Sequence, residues 1–453
     1  MADLHVWMNG LHVGVWSTLR TGTPVFRYDE AWAQAEEGRA LSMSLPFSAG
    51  LELRGDAVTN YFDNLLPDNA DIRRRLRSRF RARSAEAFDL LAAIGRDCVG
   101  AVQLLPPGAD PVGWNTVDAE PLDEARVERI LASVTSDAPL GQRDEDEELR
   151  LSLAGAQEKT ALLRMGRRWY LPRGATPTTH ILKLPLGLVG NMRADMSHSI
   201  ENEWLCSRIL RALGLPVAET EMAQFGETKA LVVTRFDRRW VGIEEGAEKK
   251  TRFRPPDGAW IARLPQEDFC QALGVAPDRK YQSDGGPSMQ DCLGVLSNSE
   301  HAREDQIDFV LTQFAFWLLA ATDGHAKNFS IQHRRGGRFS LTPLYDVLSA
   351  WPIIGNDPNL LPYQRAKLAM GVKAGNMHYR LRDIQPQHWQ GLADSVSKDA
   401  WSRLLAFARN VEAALSEVEA ELPDGFPSRV WASTAAGTRR HANALLQVPQ
   451  ASF

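Results

Sequence analysis

The amino-acid sequence predicts an α+β fold with two lobes, preceded by a small additional α+β subdomain. Near the N terminus, hydrophobic residues alternate with polar ones on both sides of the turn-forming pair Asn9-Gly10. Short strand-like stretches and one helical stretch fill residues 149–240, and helical periodicity dominates after Leu264. A strand-rich part followed by a helix-rich part is typical of α+β proteins.

Residues 1–110 form the predicted N-terminal subdomain. The alternation from Leu4 to Trp16 predicts a β-hairpin, helical patterning begins near Asn60, and Val99 to Leu105 predicts a returning strand. Residues 111–148 are rich in Pro, Gly and acidic residues, so we predict a connecting segment that carries one helix.

Residues 149–240 are predicted to form the N-terminal lobe. Its strand-like stretches are Leu149–Leu153, Lys159–Arg164, Arg168–Leu171, His180–Leu184 and Lys229–Val233. Asn202–Leu213 predicts a helix, because Gly214 can end it and Pro216 follows. This order of strands, one helix and a further strand is typical of a protein-kinase N-lobe.

Residues 241–262 are charged and interrupted by Pro and Gly, so we predict an exposed excursion. Residues 263–453 are mostly helical in pattern, which predicts a kinase C-lobe, with a strand pair at Phe329–Gln332 and Phe339–Leu344. The predicted fold class is therefore a two-lobed protein-kinase-like fold with the additional N-terminal subdomain.

The composition limits the possible classes of function. The chain of 453 residues has a formal net charge of -5, which disfavours nucleic-acid binding through overall charge. Its four cysteines form no CxxC pair, so we expect reduced core residues and no disulfide framework or zinc site. We predict no signal peptide, and the longest apolar run, Phe309 to Ala321, is shorter than the roughly 20 residues of a membrane span. We therefore expect a cytoplasmic protein.

The strongest chemical signal follows that apolar run. Asp323 and Asn328 have the Asp-x4-Asn spacing of a kinase catalytic loop. In such loops the Asp accepts the proton of the attacking hydroxyl, and the Asn holds magnesium through its amide oxygen. Asp346 follows after the predicted strand pair and offers a carboxylate to the same ion.

A turn-capping role is the alternative for Asp323 and Asn328, since both residue types favour loops. One spacing match alone would leave that alternative open. Three matching residues in kinase order, after an N-lobe pattern, favour the catalytic interpretation. His325 has no second metal ligand nearby in the sequence, so a phosphate or ribose contact is favoured over a metal site.

Upstream residues are candidates for phosphate binding. Lys183 lies in the apolar stretch His180–Leu184, where an inward-facing lysine needs an anion such as the ATP phosphates. Glu203 on the following predicted helix is a candidate partner for Lys183, with Glu201 as an equally placed rival. Residues 154–159 contain small residues that let backbone N–H groups approach phosphate, although an ordinary hairpin turn is the alternative for this stretch alone.

Residues 234–237 follow a predicted strand at the position of an interlobe hinge. There, backbone groups of Thr234, Arg235 and Phe236 would contact adenine, and Asp237 would bind a ribose hydroxyl. A plain strand end with a solvated Asp is the alternative.

Seven arginines lie between Arg73 and Arg83, which raises the question of a nucleic-acid patch. Ile72, Leu76 and Phe80 recur four residues apart through the same stretch. This spacing favours the solvated face of an amphipathic helix.

Several segments resemble the HipA-type toxin kinases of bacteria. They are LSMSLP (41–46), YFDNLLPD (61–68), IGRDCVGAV (94–102), LSLAGAQEKTALL (151–163), TPTTHILKLP (176–185), RFDRRW (235–240), RLPQED (263–268), SDGGP (283–287), ATDGHAKNFS (321–330), LTPLYD (341–346) and KLAMG (367–371). The resemblance covers nearly the whole chain, including the small N-terminal subdomain.

The resemblance implies an ATP- and magnesium-dependent Ser/Thr protein kinase that is the toxin of a toxin–antitoxin pair. The family's substrate is glutamyl-tRNA synthetase, and the outcome is growth arrest and persistence. The implied partner is a dimeric helix-turn-helix antitoxin, HipB, which binds operator DNA with the toxin as co-repressor. Ser152 matches the family's autophosphorylated serine, and a phosphate dianion there would repel ATP and displace the loop, which implies self-inactivation.

The resemblance also implies roles for individual residues. Asp323 would be the catalytic base, and Asn328 and Asp346 would bind magnesium. The implied ATP-binding residues are Ala154, Gly155, Ala156, Gln157, Glu158, Lys159, Lys183, Thr234, Arg235, Phe236, Asp237, His325, Lys327, Asn328, Tyr345 and Asp346. His325 stands where protein kinases usually have a lysine, so Lys327 is the candidate that would neutralise the γ-phosphate.

The chain departs from the family pattern in two places. The excursion between Trp240 and Arg263 is longer, and the basic segment near the C-lobe is thin, with only Lys373, Arg380 and Arg382 as possible DNA contacts. We therefore expect operator DNA to be contacted mainly through the antitoxin. Two other functions stay open: a kinase for small molecules or lipids, and a catalytically silent co-repressor.

Overall fold

The computed structural model describes residues 2–19, 21–135, 151–155, 157–190 and 192–447. The strands within these ranges are β1 (Ala2–Met8), β2 (Leu11–Thr18), β3 (Pro24–Tyr28), β4 (Glu52–Arg54), β5 (Val102–Leu105), β6 (Ala119–Leu122), β7 (Lys159–Met165), β8 (Arg168–Pro172), β9 (His180–Lys183), β10 (Gly187–Val189), β11 (Ala194–Met196), β12 (Thr220–Phe225), β13 (Thr228–Thr234), β14 (Arg238–Val241), β15 (Trp260–Arg263), β16 (Gln266–Asp268), β17 (Ser330–His333), β18 (Phe339–Leu341), β19 (Lys367–Ala374) and β20 (Asn376–Arg380).

The helices are α1 (Glu30–Gln34), α2 (Asp56–Asp63), α3 (Ala70–Arg79), α4 (Ala87–Ile94), α5 (Glu124–Val134), α6 (Ser199–Ala212), α7 (Phe269–Ala272), α8 (Met289–Leu296), α9 (Ala302–Leu319), α10 (Pro386–Val396), α11 (Ala400–Arg409), α12 (Val411–Ala420) and α13 (Ser428–Leu446). None of these helices combines the length and the apolar character that a membrane crossing requires.

The chain divides into two compact units. Unit 1 comprises Met1–Leu184, Ala223–Asp278 and Ser330–Phe339. Unit 2 comprises Pro185–Met222, Arg279–Phe329 and Ser340–Phe453. Unit 1 thus holds the predicted N-terminal subdomain and most of the predicted N-lobe, and unit 2 holds most of the predicted C-lobe.

The N-terminal part of unit 1 is an antiparallel sheet in the order β4-β3-β2-β1-β5. The predicted hairpin is confirmed: Asn9 and Gly10 both have positive φ angles, as a tight two-residue hairpin turn requires. Apolar side chains of the sheet and of α2 and α4 form one core, in which Trp16 stacks on Phe62 at 4.2 Å between ring centroids.

The second sheet of unit 1 has the strand order β12-β13-β9-β7-β8-β6. Helix α5 covers one face, where Val127 and Leu131 pack against Leu162 and Leu182. The segment predicted as a connection therefore contributes both α5 and the strand β6 to this sheet. Pro121 within β6 masked the strand in the sequence, but β6 lies at the sheet edge, where a missing backbone N–H is tolerated.

The predicted excursion begins and ends in a β-ladder, because β14 pairs with β15. Ile261 of β15 is buried in a small cluster with Leu163 and Met165. The residues between the two strands are mostly exposed or half-buried. The C-terminal end of the excursion is therefore held by the burial of Ile261, whereas the residues between β14 and β15 lie at the surface.

Helix α9 lies at the centre of unit 2 and is buried over most of its length. Trp317 of α9 stacks on His441 of α13 at 4.1 Å between ring centroids. The imidazole Nδ1 of His441 donates to the Trp317 carbonyl at 2.6 Å, and Nε2 lies 2.9 Å from the Tyr363 hydroxyl, which donates to it when the ring is neutral. Burial lowers the pKa of His441 to about 4.

Unit 2 also contains a β-hairpin, β19–β20, in a region predicted as helical. Residues 368–372 are all buried, so the sequence of β19 lacks the alternation that identifies a half-exposed strand. Gly375, with φ of +70°, joins the two strands.

Candidate functional site

The predicted catalytic loop begins where α9 ends. Ala320 adopts a left-handed conformation with φ of +49°, which turns the chain out of the helix. The N–H of Ala321 donates to the Phe316 carbonyl at 2.8 Å and closes the last turn. Asp323 follows two residues later with an exposed side chain.

Gly324 lies directly against the ring of Phe316. A Cβ atom added at Gly324 would be 2.2 Å from Phe316 Cδ2, so only glycine permits this approach. The N–H of His325 donates to the Asp323 carbonyl at 2.8 Å, and the N–H of Asn328 donates to the His325 carbonyl at 2.9 Å. The loop is therefore a compact turn whose shape depends on its own neighbouring residues.

Asp346 meets this loop through two hydrogen bonds. Asn328 Nδ2 donates to the Asp346 carbonyl at 3.2 Å, and the Tyr345 hydroxyl donates to the Lys327 carbonyl at 2.9 Å. Asp346 has a φ of +60°, which is rare for a residue other than glycine and indicates a conformation imposed by its surroundings. The structure therefore brings together the segments of Asp323, Asn328 and Asp346.

The segment after Asp346 is attached to the end of α9. Ser349 Oγ donates to the Leu319 carbonyl at 2.6 Å, and the N–H of Ala350 donates to the Ala320 carbonyl at 3.0 Å. These bonds satisfy carbonyls that a helix end leaves without intrahelical partners. They also explain how the segments of Asp323 and Asp346, which are 23 positions apart in the sequence, become neighbours.

Tyr281 was not identified from the sequence. Its hydroxyl donates to Asp323 Oδ1 at 2.5 Å, and its ring lies edge-on to His325 at 5.0 Å. Tyr281 stands two residues before the segment 283–287 that resembles the family, which was the one available signal.

Lys183 lies in unit 1, on the central strand β9. It is 5% exposed, and its strand neighbours in register are Leu231 and Lys159. Leu182 packs under α5, so Lys183 faces the other side of the sheet, because successive side chains in a strand alternate.

The predicted phosphate loop precedes β7 in unit 1. Gly155 has a φ of +107°, and a Cβ there would be 2.7 Å from Lys159 Nζ, so glycine is required. Gln157 Nε2 donates to the Leu184 carbonyl at 2.5 Å, and the N–H of Leu184 donates to the Glu158 carbonyl at 3.0 Å. The predicted contact residue Ala156 lies outside the described residues.

Ser152 is fully buried at the start of this loop. Its N–H donates to the Asp97 carbonyl at 3.1 Å, and its hydroxyl donates to the Leu65 carbonyl at 2.8 Å. Both partners belong to the N-terminal subdomain.

The predicted hinge follows β13. The N–H of Arg235 donates to the Thr179 carbonyl at 2.9 Å, so this amide belongs to the sheet. Asp237 is not the solvated strand end that the sequence left as the alternative. Its carboxylate is buried and accepts hydrogen bonds from Arg235 at 2.7 and 2.9 Å and from the N–H of Gly100 at 2.7 Å. A ribose hydroxyl would have to displace these partners.

Asp97 is the centre of a buried ion cluster that the sequence did not reveal. Its carboxylate pairs with Arg238 at 2.9 Å, Arg263 at 3.1 Å and Arg235 at 3.4 Å. Burial pushes the pKa of Asp97 upward, but the three guanidinium groups hold it well below its usual value. Burial and the neighbouring Arg235 lower the pKa of Arg238 to about 10.

The possible DNA contacts lie on or next to the β19–β20 hairpin. Lys373, Arg380 and Arg382 are all exposed. Arg380 pairs in register with Lys367, which adds a fourth cation to this face, and Arg382 contacts Asp383 at 3.2 Å. The hairpin thus places basic side chains at the surface of unit 2.

Among the described residues, no group of three His, Cys, Asp or Glu side chains forms a metal cage. His325 and Lys327 are buried at 6% exposure each, so both are fixed parts of the catalytic loop.

Two family models match the chain. Residues 4–105 match the HipA N-terminal domain, and residues 151–425 match the HipA-like C-terminal domain.

Curated relatives agree with this match. The chain is 35% identical to "Putative kinase Y4mE" of Sinorhizobium fredii, over 86% of this chain and 84% of the relative. It is 26% identical to the serine/threonine-protein kinase toxin HipA of Shewanella oneidensis, over 71% of this chain and 69% of the relative.

A chain of the solved complex of Shewanella oneidensis HipA, HipB and operator DNA has a similar fold. The TM-score is 0.76 at 23% identity, with 98% of this chain and 97% of that chain covered. This likeness confirms the predicted fold class. Together, the two family models and the curated relatives establish that the chain belongs to the HipA family of Ser/Thr protein kinase toxins.

Proposed function

We propose that this protein uses ATP and Mg²⁺ to phosphorylate Ser or Thr side chains and acts as the toxin of a toxin–antitoxin pair. The observation that carries this proposal is the hydrogen-bonded frame in unit 2 that joins the loop of Asp323 and Asn328 to Asp346. It provides a base, an amide and a second carboxylate in the order that protein kinases use.

The residues of this frame suit Mg²⁺. Asn328 uses its Nδ2 for the Asp346 carbonyl, so its amide oxygen is the atom that we assign to the cation, together with the Asp346 carboxylate. Mg²⁺ prefers oxygen ligands and keeps several waters, so two protein ligands are sufficient. When bound, the ion would neutralise charge on the ATP phosphates.

Asp323 would orient the substrate hydroxyl and accept its proton as the new O–P bond forms to the γ-phosphorus. The bond from the γ-phosphorus to the β–γ bridging oxygen would break, and ADP would leave. The Tyr281 hydroxyl donates to Oδ1 and would hold the carboxylate in a fixed orientation for this transfer. The exposure of Asp323 is consistent with this role, because a protein substrate must reach the carboxylate.

We propose nucleotide contacts within each unit separately. In unit 1 we propose Lys183, the loop 154–159 and the backbone of residues 234–236, and in unit 2 His325 and Lys327. Lys183 is buried on the face of β9 opposite to α5, and we assign this face to the phosphates. Asp237 is the weakest of the predicted nucleotide contacts, because its carboxylate already binds Arg235.

We further propose that autophosphorylation of Ser152 inactivates the kinase. Ser152 is buried, and its hydroxyl binds the Leu65 carbonyl. A phosphate dianion cannot occupy this position without losing its hydration, and it would repel that carbonyl. Phosphorylation would therefore stabilise a displaced loop that cannot bind ATP.

The partners are proposed from the family. The solved Shewanella oneidensis complex contains HipA, HipB and operator DNA, so we propose a HipB-like antitoxin dimer that carries this chain to its operator as co-repressor. The exposed basic hairpin with Lys373, Arg380 and Arg382 would give at most a minor direct DNA contact. We propose glutamyl-tRNA synthetase as the protein substrate, with arrested translation and persistence as the result.

The test is incubation with γ-labelled ATP and Mg²⁺, followed by mass spectrometry of the chain and of added glutamyl-tRNA synthetase. Asp323→Asn should reduce label transfer about a thousandfold or more, because it removes the proton acceptor but keeps the shape of the side chain. The matched control is Asp394→Asn, an exposed acid on α10, which should transfer normally.

Label on Ser152 and on the synthetase supports the proposal. Label that appears only on lipids or small molecules would replace it with the small-molecule kinase. Equal transfer by Asp323→Asn and wild type would refute the assignment of the base, and absence of any transfer by wild type would favour the silent co-repressor.

A further inference from the structure

The phosphate loop of unit 1 is attached to the N-terminal subdomain by several independent contacts. Besides the two bonds of Ser152, the N–H of Asp68 donates to the Gly155 carbonyl at 3.2 Å, and Pro67 and Gly155 form a β-bridge. Leu151 forms a similar bridge with Asp97. The start of the loop is therefore held by residues 65–68 and 97, far away in sequence.

The other end of the loop also has an ionic contact with the same subdomain. Arg75 of α3 pairs with Glu158, and the two side chains are 23% and 26% exposed. Arg75 is one of the seven arginines that the sequence assigned to a solvated helix face. It lies instead between the helix and the loop.

Apolar residues of α3 and α5 lie beside this part of the loop. A cavity of about 80 Å³ lies behind it, lined by apolar side chains such as Leu76, Phe80 and Val134 and by the loop residues 157–159. Thr160 also lines the cavity and lies on the face of β7 that carries Leu162, which packs under α5. The cavity is thus on the side of the sheet opposite to Lys183. When the contact between Arg75 and Glu158 is removed, the loop has space to move into this cavity.

We propose that Arg75 is a positioning residue for ATP, because it holds Glu158 on the cavity side of the loop and thereby fixes the conformation of the phosphate loop. The N-terminal subdomain is then a working part of the nucleotide site, and Arg75 acts through Glu158 without touching ATP. This inference rests on the proposed function, since it assigns the loop to ATP.

The test compares Arg75→Gln with the wild type in ATP binding and in label transfer. We expect the Kd and KM for ATP to rise about fivefold, because the free-energy contribution of a partly exposed ion pair corresponds to a change of about that size. The kcat should stay within about twofold of the wild-type value. Arg75→Lys should recover part of the affinity because it keeps the charge. The control is Arg74→Gln, the adjacent arginine, whose partner Asp71 lies on the same helix.

Charge reversal separates the ion pair from a general effect of positive charge. Arg75→Glu and Glu158→Arg should each weaken ATP binding, and the double variant should bind more tightly than the sum of the two effects predicts. Additive effects would overturn the proposal.

Amide hydrogen exchange tests the same inference without ATP. Arg75→Gln should speed exchange at Ser152 and Gly155 relative to Arg74→Gln, because the loop opens more often. Unchanged exchange together with unchanged ATP affinity would refute the positioning role. If the wild type binds no ATP but the exchange difference is present, the proposed function fails while the loop attachment stands.

Discussion

The catalytic loop of unit 2 and the phosphate loop of unit 1 are fixed in different ways. Besides contacts with Tyr281, Tyr345 and Asp346 of unit 2, the catalytic loop has bonds among its own residues Asp323, His325 and Asn328 and the close approach of Gly324 to Phe316 at the end of α9. The phosphate loop is held by residues from another part of the chain, chiefly Leu65 and Asp97. Disturbance of a distant residue should therefore affect the phosphate loop more than the catalytic loop.

The difference has a consequence for regulation. A loop whose shape depends on adjacent residues stays rigid as long as its helix stays folded. A loop that depends on a separate subdomain can be released when one buried contact is lost. Ser152 provides such a contact. Modification of this residue would therefore release the phosphate loop, which depends on the N-terminal subdomain for its position.

The largest effect is expected from Asp97→Asn, which removes the carboxylate that fixes Asp97 in the arginine cluster, while the Asp97 backbone carbonyl holds the phosphate loop. The variant leaves three buried guanidinium groups with Asp237 as the remaining carboxylate of the cluster. The free energy of unfolding in urea should fall by about 3–5 kcal/mol. Asp71→Asn, at an exposed position of α3, should cost less than about 1 kcal/mol. Equal losses for the two variants would contradict the role of the cluster.

Gly324→Ala breaks the local frame of the catalytic loop. The added Cβ would collide with Phe316, so the loop must shift and Asp323 with it. Label transfer should fall about a hundredfold, since small displacements of catalytic groups are costly. Gly391→Ala is the matched control, because a Cβ at Gly391 in α10 meets no atom within 4 Å. Full activity of Gly324→Ala would show that the close approach is dispensable.

The pH dependence of the free energy of unfolding tests the packing of His441 against α9, the helix that precedes the catalytic loop. His441 is neutral when folded, with a pKa of about 4 instead of about 6.5, so the unfolded chain takes up a proton first as the pH falls. Its contribution to the free energy of unfolding is complete above pH 6.5 and decreases from there toward pH 4. The expected loss at pH 5 is about 2 kcal/mol.

His441→Phe should be less stable than wild type at pH 7.5 but should lose less stability between pH 7.5 and pH 5 in urea titrations. The residual dependence would include His180 in unit 1, whose pKa burial lowers to about 3. An unchanged pH dependence in His441→Phe would contradict the buried neutral ring.

The smallest effect is expected from Tyr281→Phe, which removes one hydrogen bond to Asp323 and leaves the rest of the loop intact. The rate constant kcat should fall about fivefold, with the KM for ATP unchanged, because the bond orients the base. Tyr379→Phe on β20 is the control. A rise in the KM for ATP alone would assign Tyr281 to nucleotide binding.

The sequence predicted the parts of this molecule that neighbouring residues determine. The Asn9-Gly10 hairpin, the strands around Lys183 and the helix before Asp323 follow from periodicity and turn chemistry, which act within a few residues. The Asp-x4-Asn spacing marked the catalytic loop for the same reason.

Only the tertiary structure showed how distant segments meet. The strand β6 was hidden by Pro121, and the β19–β20 hairpin by burial on both faces. Asp237 has the sequence context of a ribose ligand, but its environment is set by Arg235 and by Gly100 of the N-terminal subdomain.

What the sequence by itself determined was therefore the N-terminal hairpin, the strands around Lys183, the helix before Asp323 and the resemblance to the family. What the tertiary structure decided was which charges pair, as in the cluster around Asp97 and the pair of Arg75 with Glu158. The physical reason is that periodicity and turn preferences act along the chain, whereas a buried charge is stabilised by whichever opposite charge the folded chain places beside it.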